Sequence, residues 1–353
     1  MKLTSITRYL LIGVLFPLLI QYVMYYRFTP NYQPGIYSES GFRTFYETSV
    51  FKYRVLGRSL HLWLYHQLKT NKSIRNIREN KIYDKRLLAL DPNADNLFYL
   101  TYYIINGLFS VLLALSLLYL FDRKQLFVMN DADKIFTTTI LLLVIAVTQF
   151  VITPYDVAAY FFEVLTFIVF LKYLRTNNWW LLLATCVLIM AATLIRESAI
   201  LILCLMGAVY FTVNGYALWW VKKMIPPCIS FFIAYFGLRM CVNSNSIQFS
   251  ENTKLAENLT FRPSALMGIF MAITIFYMIL NVASRPDNRK LVRHFFVISL
   301  TYVVMVIFVG LLVELRLWVP LIIGTAMLYK LNLNALSKDN RLSKTRDALS
   351  AKL

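Results

Sequence analysis

Charge is what this sequence has least of. Only 15% of its 353 residues are Asp, Glu, Lys or Arg, against about a quarter in soluble domains, so a string of soluble domains is excluded. Acids are scarcest, with 18 Asp and Glu against 36 Lys and Arg for a formal net charge of +18. Histidine is nearly absent. His61, His66 and His294 make no HExxH motif and no zinc constellation, and no metal ligands are expected. The cysteines Cys186, Cys204, Cys228 and Cys241 show no CxxC spacing and lie in apolar stretches. They are expected to be small buried hydrophobes, not a disulfide framework. Glycine and proline number 11 and 10, few of them in mid-segment, and no internal repeat is visible. Both absences weigh against an inverted-repeat transporter with broken helices.

What is abundant is apolar surface. Hydrophobic residues make up 59% and aromatics 16%, and mean hydropathy is +0.59. The apolar residues fall in solid runs near 8–25, 97–120, 136–152, 156–174, 179–195, 198–213, 225–242, 264–283, 295–312 and 317–332. Such runs match a hydrocarbon core about 30 Å thick, whereas barrel strands alternate. The expectation is an all-α polytopic membrane protein with about ten transmembrane helices, residues 1–353 forming one transmembrane domain. The first run is followed by Tyr22, Tyr25, Tyr26 and Arg27 rather than a small-residue cleavage site, so it is kept as a signal-anchor span. Basic residues then choose the orientation. With both termini cytoplasmic, the inner segments hold Arg8, Arg123, Lys124, Lys134, Lys172, Arg175, Lys222, Lys223 and the 285–293 cluster, and residues 333–353 form a basic cytoplasmic tail. The 26–96 loop lies outside; at that length its own charge matters little to translocation. With no soluble basic module, the positive charge fits anionic headgroups and not nucleic acid.

In this orientation the conspicuous charges sort to the outer face. Asp156 sits in Thr153-Pro154-Tyr155-Asp156, Arg196 and Glu197 at the junction of two runs, and Glu314 and Arg316 ahead of the last run. The long loop adds Glu39, Arg43, Glu47, Lys52, Arg54 and Arg58. A charge pair at a span end is often only structural, but several at one face predict a shared polar cavity. Glu163, seven residues after Asp156, falls on the same helix face deeper in the membrane. In the loop, Phe42, Phe45, Tyr46, Val50, Tyr53, Leu56, Leu60, Leu64 and Leu68 recur every three or four residues. That predicts an interfacial amphipathic helix, or two broken near Gly57. The triplets Asn71-Lys72-Ser73 and Asn258-Leu259-Thr260 are glycosylation sequons that arise easily by chance.

One span, a long outer loop with amphipathic helices and early acids, then a bundle with charged outer connections: this plan resembles the GT-C type membrane glycosyltransferases. Locally, Ile195-Arg196-Glu197-Ser198-Ala199 is similar to an Arg-Glu-Thr/Ser-Ala element of such enzymes, and Phe51-Lys52-Tyr53-Arg54-Val55-Leu56 and Glu314-Leu315-Arg316 are similar to stretches in bacterial proteins of this type. The resemblance implies an inverting transfer of a sugar from a polyprenyl-phosphate-linked donor to a hydroxyl of a glycan, lipid or protein acceptor. The setting would be the outer face of a bacterial inner membrane, with no certain cofactor and room for a divalent cation. The family's first-loop signature is an aspartate, often paired; here the acids are Glu39 and Glu47. Such chemistry needs an acid to take the acceptor proton and guanidinium groups to neutralise the departing phosphate. The expected roles are Glu39 or Glu47 as base, Arg54, Arg58, Arg196 and Arg316 as phosphate ligands, and Asp156, Glu197 and Glu314 as sugar-binding or arginine-orienting acids. The competing expectations are a glycan polymerase or lipid-linked-glycan flippase, a proton-coupled transporter using Asp156 and Glu163, and a structural subunit.

Overall fold

The structure, a computed structural model, describes residues 5–28, 35–71, 93–215, 219–241 and 254–336. Most of the basic tail, and Lys72 and Ser73 of the first sequon, lie outside the described residues. Among the described residues the chain is helical, with a lone backbone bridge from Phe127 to Leu331. In chain order, α1 (Ser5–Tyr26) leads to α2 (Glu39–Thr48), a 3-10 turn at Val50–Tyr53, and α3 (Val55–Thr70). Next come α4 (Asn96–Phe121), α5 (Asp131–Val147), α6 (Asp156–Thr176), α7 (Trp179–Ile195), α8 (Ile200–Asn214) and α9 (Trp219–Cys241). The chain continues through α10 (Leu255–Leu259), α11 (Pro263–Asn281), α12 (Pro286–Ile298), α13 (Leu300–Val309) and α14 (Leu315–Leu328).

Seven of these helices (α1, α4, α5, α6, α8, α9 and α11) are long and apolar enough to cross a membrane. An eighth qualifies if α12 and α13, bent by 45° at Ser299, count as one span, and α7 and α14 are shorter apolar helices. The ten apolar runs thus stand as helices where the sequence puts them, and seven or eight of them have the length and apolarity of a span. Asp95, Asn130 and Asn178 cap α4, α5 and α7, each accepting a hydrogen bond from a first-turn N–H. The helix α4 packs on α1, α3 and α6, and α7 bridges α6 to α9. The aliphatic core fills the bundle, and a smaller aromatic core of Phe42, Tyr46, Phe98, Tyr99, Tyr102 and Tyr155 lies under the first loop.

That aromatic core corrects the loop reading. The break falls at residues 49–54, not near Gly57. Gly57 lies inside α3 because it packs against the α5–α6 connection: a Cβ there would stand 2.7 Å from the Tyr155 Cβ. The buried stripe of α3 is Gly57, His61 and Tyr65, one register away from the leucines, while Leu56 and Trp63 point outward. The helix therefore turns its less apolar Gly57, His61 and Tyr65 stripe fully to protein, with Leu62 and Leu68 packed partly against the same aromatic core. The cysteine expectation also needs amending, since Cys241 is exposed at the end of α9. Asn258, the second sequon, is buried and fully used. Its Nδ2 donates to the Ile307 and Gly310 carbonyls and its Oδ1 accepts from the Leu312 N–H, tying α10 to the end of α13.

At the end of α4 that carries Phe121, buried Arg8 and Lys134 both clamp Asp122 and Asp131. At the other end, His61 is sealed among Phe42, Phe98 and Tyr102, ring centroids 4.0–5.0 Å away, with neither nitrogen hydrogen-bonded. Burial pushes its imidazole down to about 3. The unfolded chain takes up this proton near the ordinary value of 6.5, so His61 leaves stability intact above that pH and erodes it as pH falls toward 3. The slope is at most about 1.4 kcal/mol per pH unit. Thermal unfolding of His61→Phe in detergent should lack this acid slope. The same slope in both proteins would contradict the assignment.

Candidate functional site

Five separate pieces of chain meet above the bundle. The turn Thr153-Pro154-Tyr155 feeds Asp156 into the first position of α6, where it is 1% exposed. Tyr160, one turn on, shares its helix face. Between α7 and α8 the chain breaks at Arg196, whose backbone is extended (φ −160°, ψ 138°) before the 3-10 turn Glu197–Ala199. Successive side chains of an extended segment point to opposite sides, so Arg196 turns down into the bundle and Glu197 turns up. Glu314 precedes α14, Arg316 lies in its first turn, Arg54 ends the Val50–Tyr53 turn, and Arg239 lies near the end of α9.

The charges form two layers. In the floor, Arg196 Nη1 lies 3.1 Å from Asp156 Oδ1, an ion pair without hydrogen-bond alignment. Arg316 Nη1 is 3.8 Å from Oδ2 of the same carboxylate, and Arg316 Nε donates to Glu314 Oε2 at 2.9 Å. Tyr160 stitches these together: it accepts from Arg196 at 3.1 Å and donates to the Arg316 carbonyl at 3.1 Å, which also accepts from Arg196 Nη2 at 3.3 Å. In the rim, Arg54 Nε donates to Glu197 Oε2 at 3.0 Å, and Arg239 Nη2 approaches Oε1 at 3.9 Å. The Arg54 guanidinium lies over Phe51 (4.6 Å) and Tyr155 (4.5 Å), and that of Arg239 over Tyr235 (3.5 Å) and Tyr53 (4.5 Å). Burial works against the Arg54 charge, but Glu197 and Tyr155 outweigh it and hold the guanidinium above its ordinary value.

The two layers differ in charge balance and in access. The floor pairs two guanidinium groups with two carboxylates; the rim sets two guanidinium groups against one carboxylate. Side chains of Asp156, Arg196 and Arg316 are 1–7% exposed, those of Arg54, Glu197 and Arg239 14–23%. The rim is cationic and partly exposed; the floor is neutral and, apart from Glu314 at 12%, sealed. Such an arrangement can hold an oxyanion at its open edge. No protein-family model, curated protein or solved structure matches the chain. What the fold establishes is an all-α, multi-pass membrane protein with a layered arginine and carboxylate cluster at one end of the bundle.

Of the residues expected from the sequence, the structure brings together Arg54, Asp156, Arg196, Glu197, Glu314 and Arg316. Three stand apart from these ion pairs. Glu39 opens α2 and is held by Arg43 at 2.9 Å and His66 at 3.5 Å. It borders an open cleft of about 740 Å³, lined also by Ser38, Tyr65, Lys69 and Asp95. Glu47 is exposed on the last turn of α2, and half-buried Arg58 has no ion-pair partner among the described residues. Glu163 is buried two turns below Asp156, its Oε1 without a hydrogen bond. Sequence reasoning passed over Arg239 and Tyr160. A last-turn arginine four residues after Tyr235 resembles any snorkelling cation, and Tyr160 differs from neighbouring aromatics only by its spacing from Asp156. No group of three or more His, Cys, Asp or Glu suited to a metal occurs among the described residues.

Proposed function

We propose that the chain is a membrane glycosyltransferase that moves a sugar from a polyprenyl-phosphate-linked donor to an acceptor hydroxyl on the extracytoplasmic face, with GT-C-like chemistry. The observation that carries this is the rim: a reachable guanidinium pair in excess of carboxylate, set at the ends of apolar helices. A lipid donor presents its phosphate at that depth, and planar forked guanidinium groups suit a departing phosphate better than ammonium groups do. Counting α7, α14 and the bent α12–α13 pair as spans gives ten crossings, which return both termini to the cytoplasm. The basic inner segments agree, and a bacterial inner membrane is the setting proposed. Of the two loop acids, Glu47 lies next to the 49–54 connection that carries Arg54, whereas Glu39 lies at the far end of α2. Glu47 is therefore the base in this scheme, and the acceptor hydroxyl comes to it beside the 49–54 connection.

The test is equilibrium binding of farnesyl phosphate to the purified protein in detergent, with an uncharged prenyl alcohol as control. Arg54→Lys keeps the charge but loses the fork, so affinity should fall about tenfold or more with the melting temperature nearly unchanged. Equal affinity for phosphate and alcohol in the wild-type protein would remove the basis for a lipid-phosphate donor.

A further inference from the structure

We infer that Arg54 and Arg239 together form an oxyanion site, that Glu197 is its built-in occupant, and that the incoming phosphate displaces Glu197. Two guanidinium groups from distant parts of the chain converge on a single carboxylate, one toward each oxygen. That is how a bidentate anion is held. Each guanidinium plane is already fixed by a pair of rings, Phe51 with Tyr155 and Tyr53 with Tyr235. The site is therefore organised before any ligand arrives, which lowers the ordering cost of binding.

Glu197 holds this site unevenly. Arg54 donates a 3.0 Å hydrogen bond, while Arg239 stands 3.9 Å off, beyond hydrogen-bond length. Arg54 is engaged by Glu197, while Arg239 gives Nη1 to the Tyr235 carbonyl at 3.2 Å and keeps Nη2 within reach of an anion with a wider bite. The local charge points the same way. Two cations with one carboxylate leave the rim a net positive charge before phosphate binds and approach balance once it is seated. The floor is balanced without help and needs no ligand. Displaced Glu197 keeps its charge and remains beside the bound anion, repelling it. This favours release after transfer and makes the site weaker than two arginines alone would be.

The inference rests on the lipid-phosphate donor proposed above, and two probes separate them. Inorganic pyrophosphate tests the anion site, and farnesyl phosphate tests the lipid donor. Glu197→Gln keeps the size of the side chain but removes the competing charge. It should bind both probes about ten- to a hundredfold more tightly than wild type. Adding Arg239→Gln should return affinity to the wild-type level or below. Because Arg54 loses its counter-ion in Glu197→Gln, that variant should also melt lower without anion and regain most of the loss in millimolar pyrophosphate, by more than wild type gains. Equal or weaker pyrophosphate binding by Glu197→Gln overturns the inference, as does a double variant that binds as tightly as the single one. Failure of the variant to fold even with pyrophosphate present makes Glu197 a structural carboxylate and overturns it too. Tighter pyrophosphate with no binding of farnesyl phosphate keeps the anion site and removes the lipid donor.

Discussion

Asp156→Asn is expected to melt far below the wild-type protein in detergent and to lose all transfer activity. The carboxylate is 1% exposed and is the shared counter-ion of Arg196 and Arg316. Asparagine fits the space but leaves buried Arg196 without a carboxylate, while Arg316 keeps Glu314 alone. Removing one partner of a buried ion pair typically costs about 3–5 kcal/mol, enough to consume much of a fold's margin. The companion variant Asp156→Asn with Arg196→Gln removes one charge of each sign and leaves the Arg316–Glu314 pair in place, so it should recover part of the lost melting temperature without restoring activity. A single variant as stable as wild type would show that the floor is not held by charge.

Glu47→Gln is the second large effect. The substitution preserves size and hydrogen bonding but removes the proton acceptor, so turnover should fall about 10²–10⁴-fold while binding of farnesyl phosphate changes little. Glu39→Gln serves as the contrast. The ten residues of α2 span about 15 Å, and Glu39 at the far end is already engaged by Arg43 and His66. It should keep near-normal turnover. The reverse ranking would exchange the roles of the two acids. Near-normal turnover in both variants would take the base out of the first loop.

Much of the cluster was legible because membranes make charge conspicuous. Asp156, Arg196, Glu197, Glu314 and Arg316 stand out in apolar sequence, and alternation of spans is enough to put them on one face. What sequence does not carry is pairing. Nothing in the spacing says that Asp156 takes Arg196 and Arg316 while Glu197 takes Arg54, because those choices follow from the extended backbone at Arg196 and from aromatic rings contributed by three other segments. The loop shows the opposite failure. Its periodicity is correct as helix and, in α2, as to face, since Phe42 and Tyr46 are buried. In α3 the buried stripe shifts by one residue, because Gly57, His61 and Tyr65 pack inward by shape and stacking while hydrophobicity alone favours the leucines. The span count turns on a third matter: apolar runs show where helices are, while the kink at Ser299 and the lengths of α7 and α14 govern how many of the ten reach across.

Those lengths bear on the bilayer itself. The helices α7 and α14, which lead into and out of the cluster, have 17 and 14 residues. At 1.5 Å per residue they fall roughly 5–9 Å short of an ordinary hydrocarbon core. Lipids beside them must thin to match, or the helix ends must sit recessed below the general surface. Either way the surface would dip where α7 meets lipid, above Arg196, whereas α14, with ten of its 14 residues buried, meets little lipid itself. A long isoprenoid alcohol esterified to phosphate is well suited to such a depression, because its chain can stay in the thinned core while its phosphate travels sideways. Hydrophobic mismatch would then act as a guide, and transfer should slow in bilayers of unusually long acyl chains, which resist thinning.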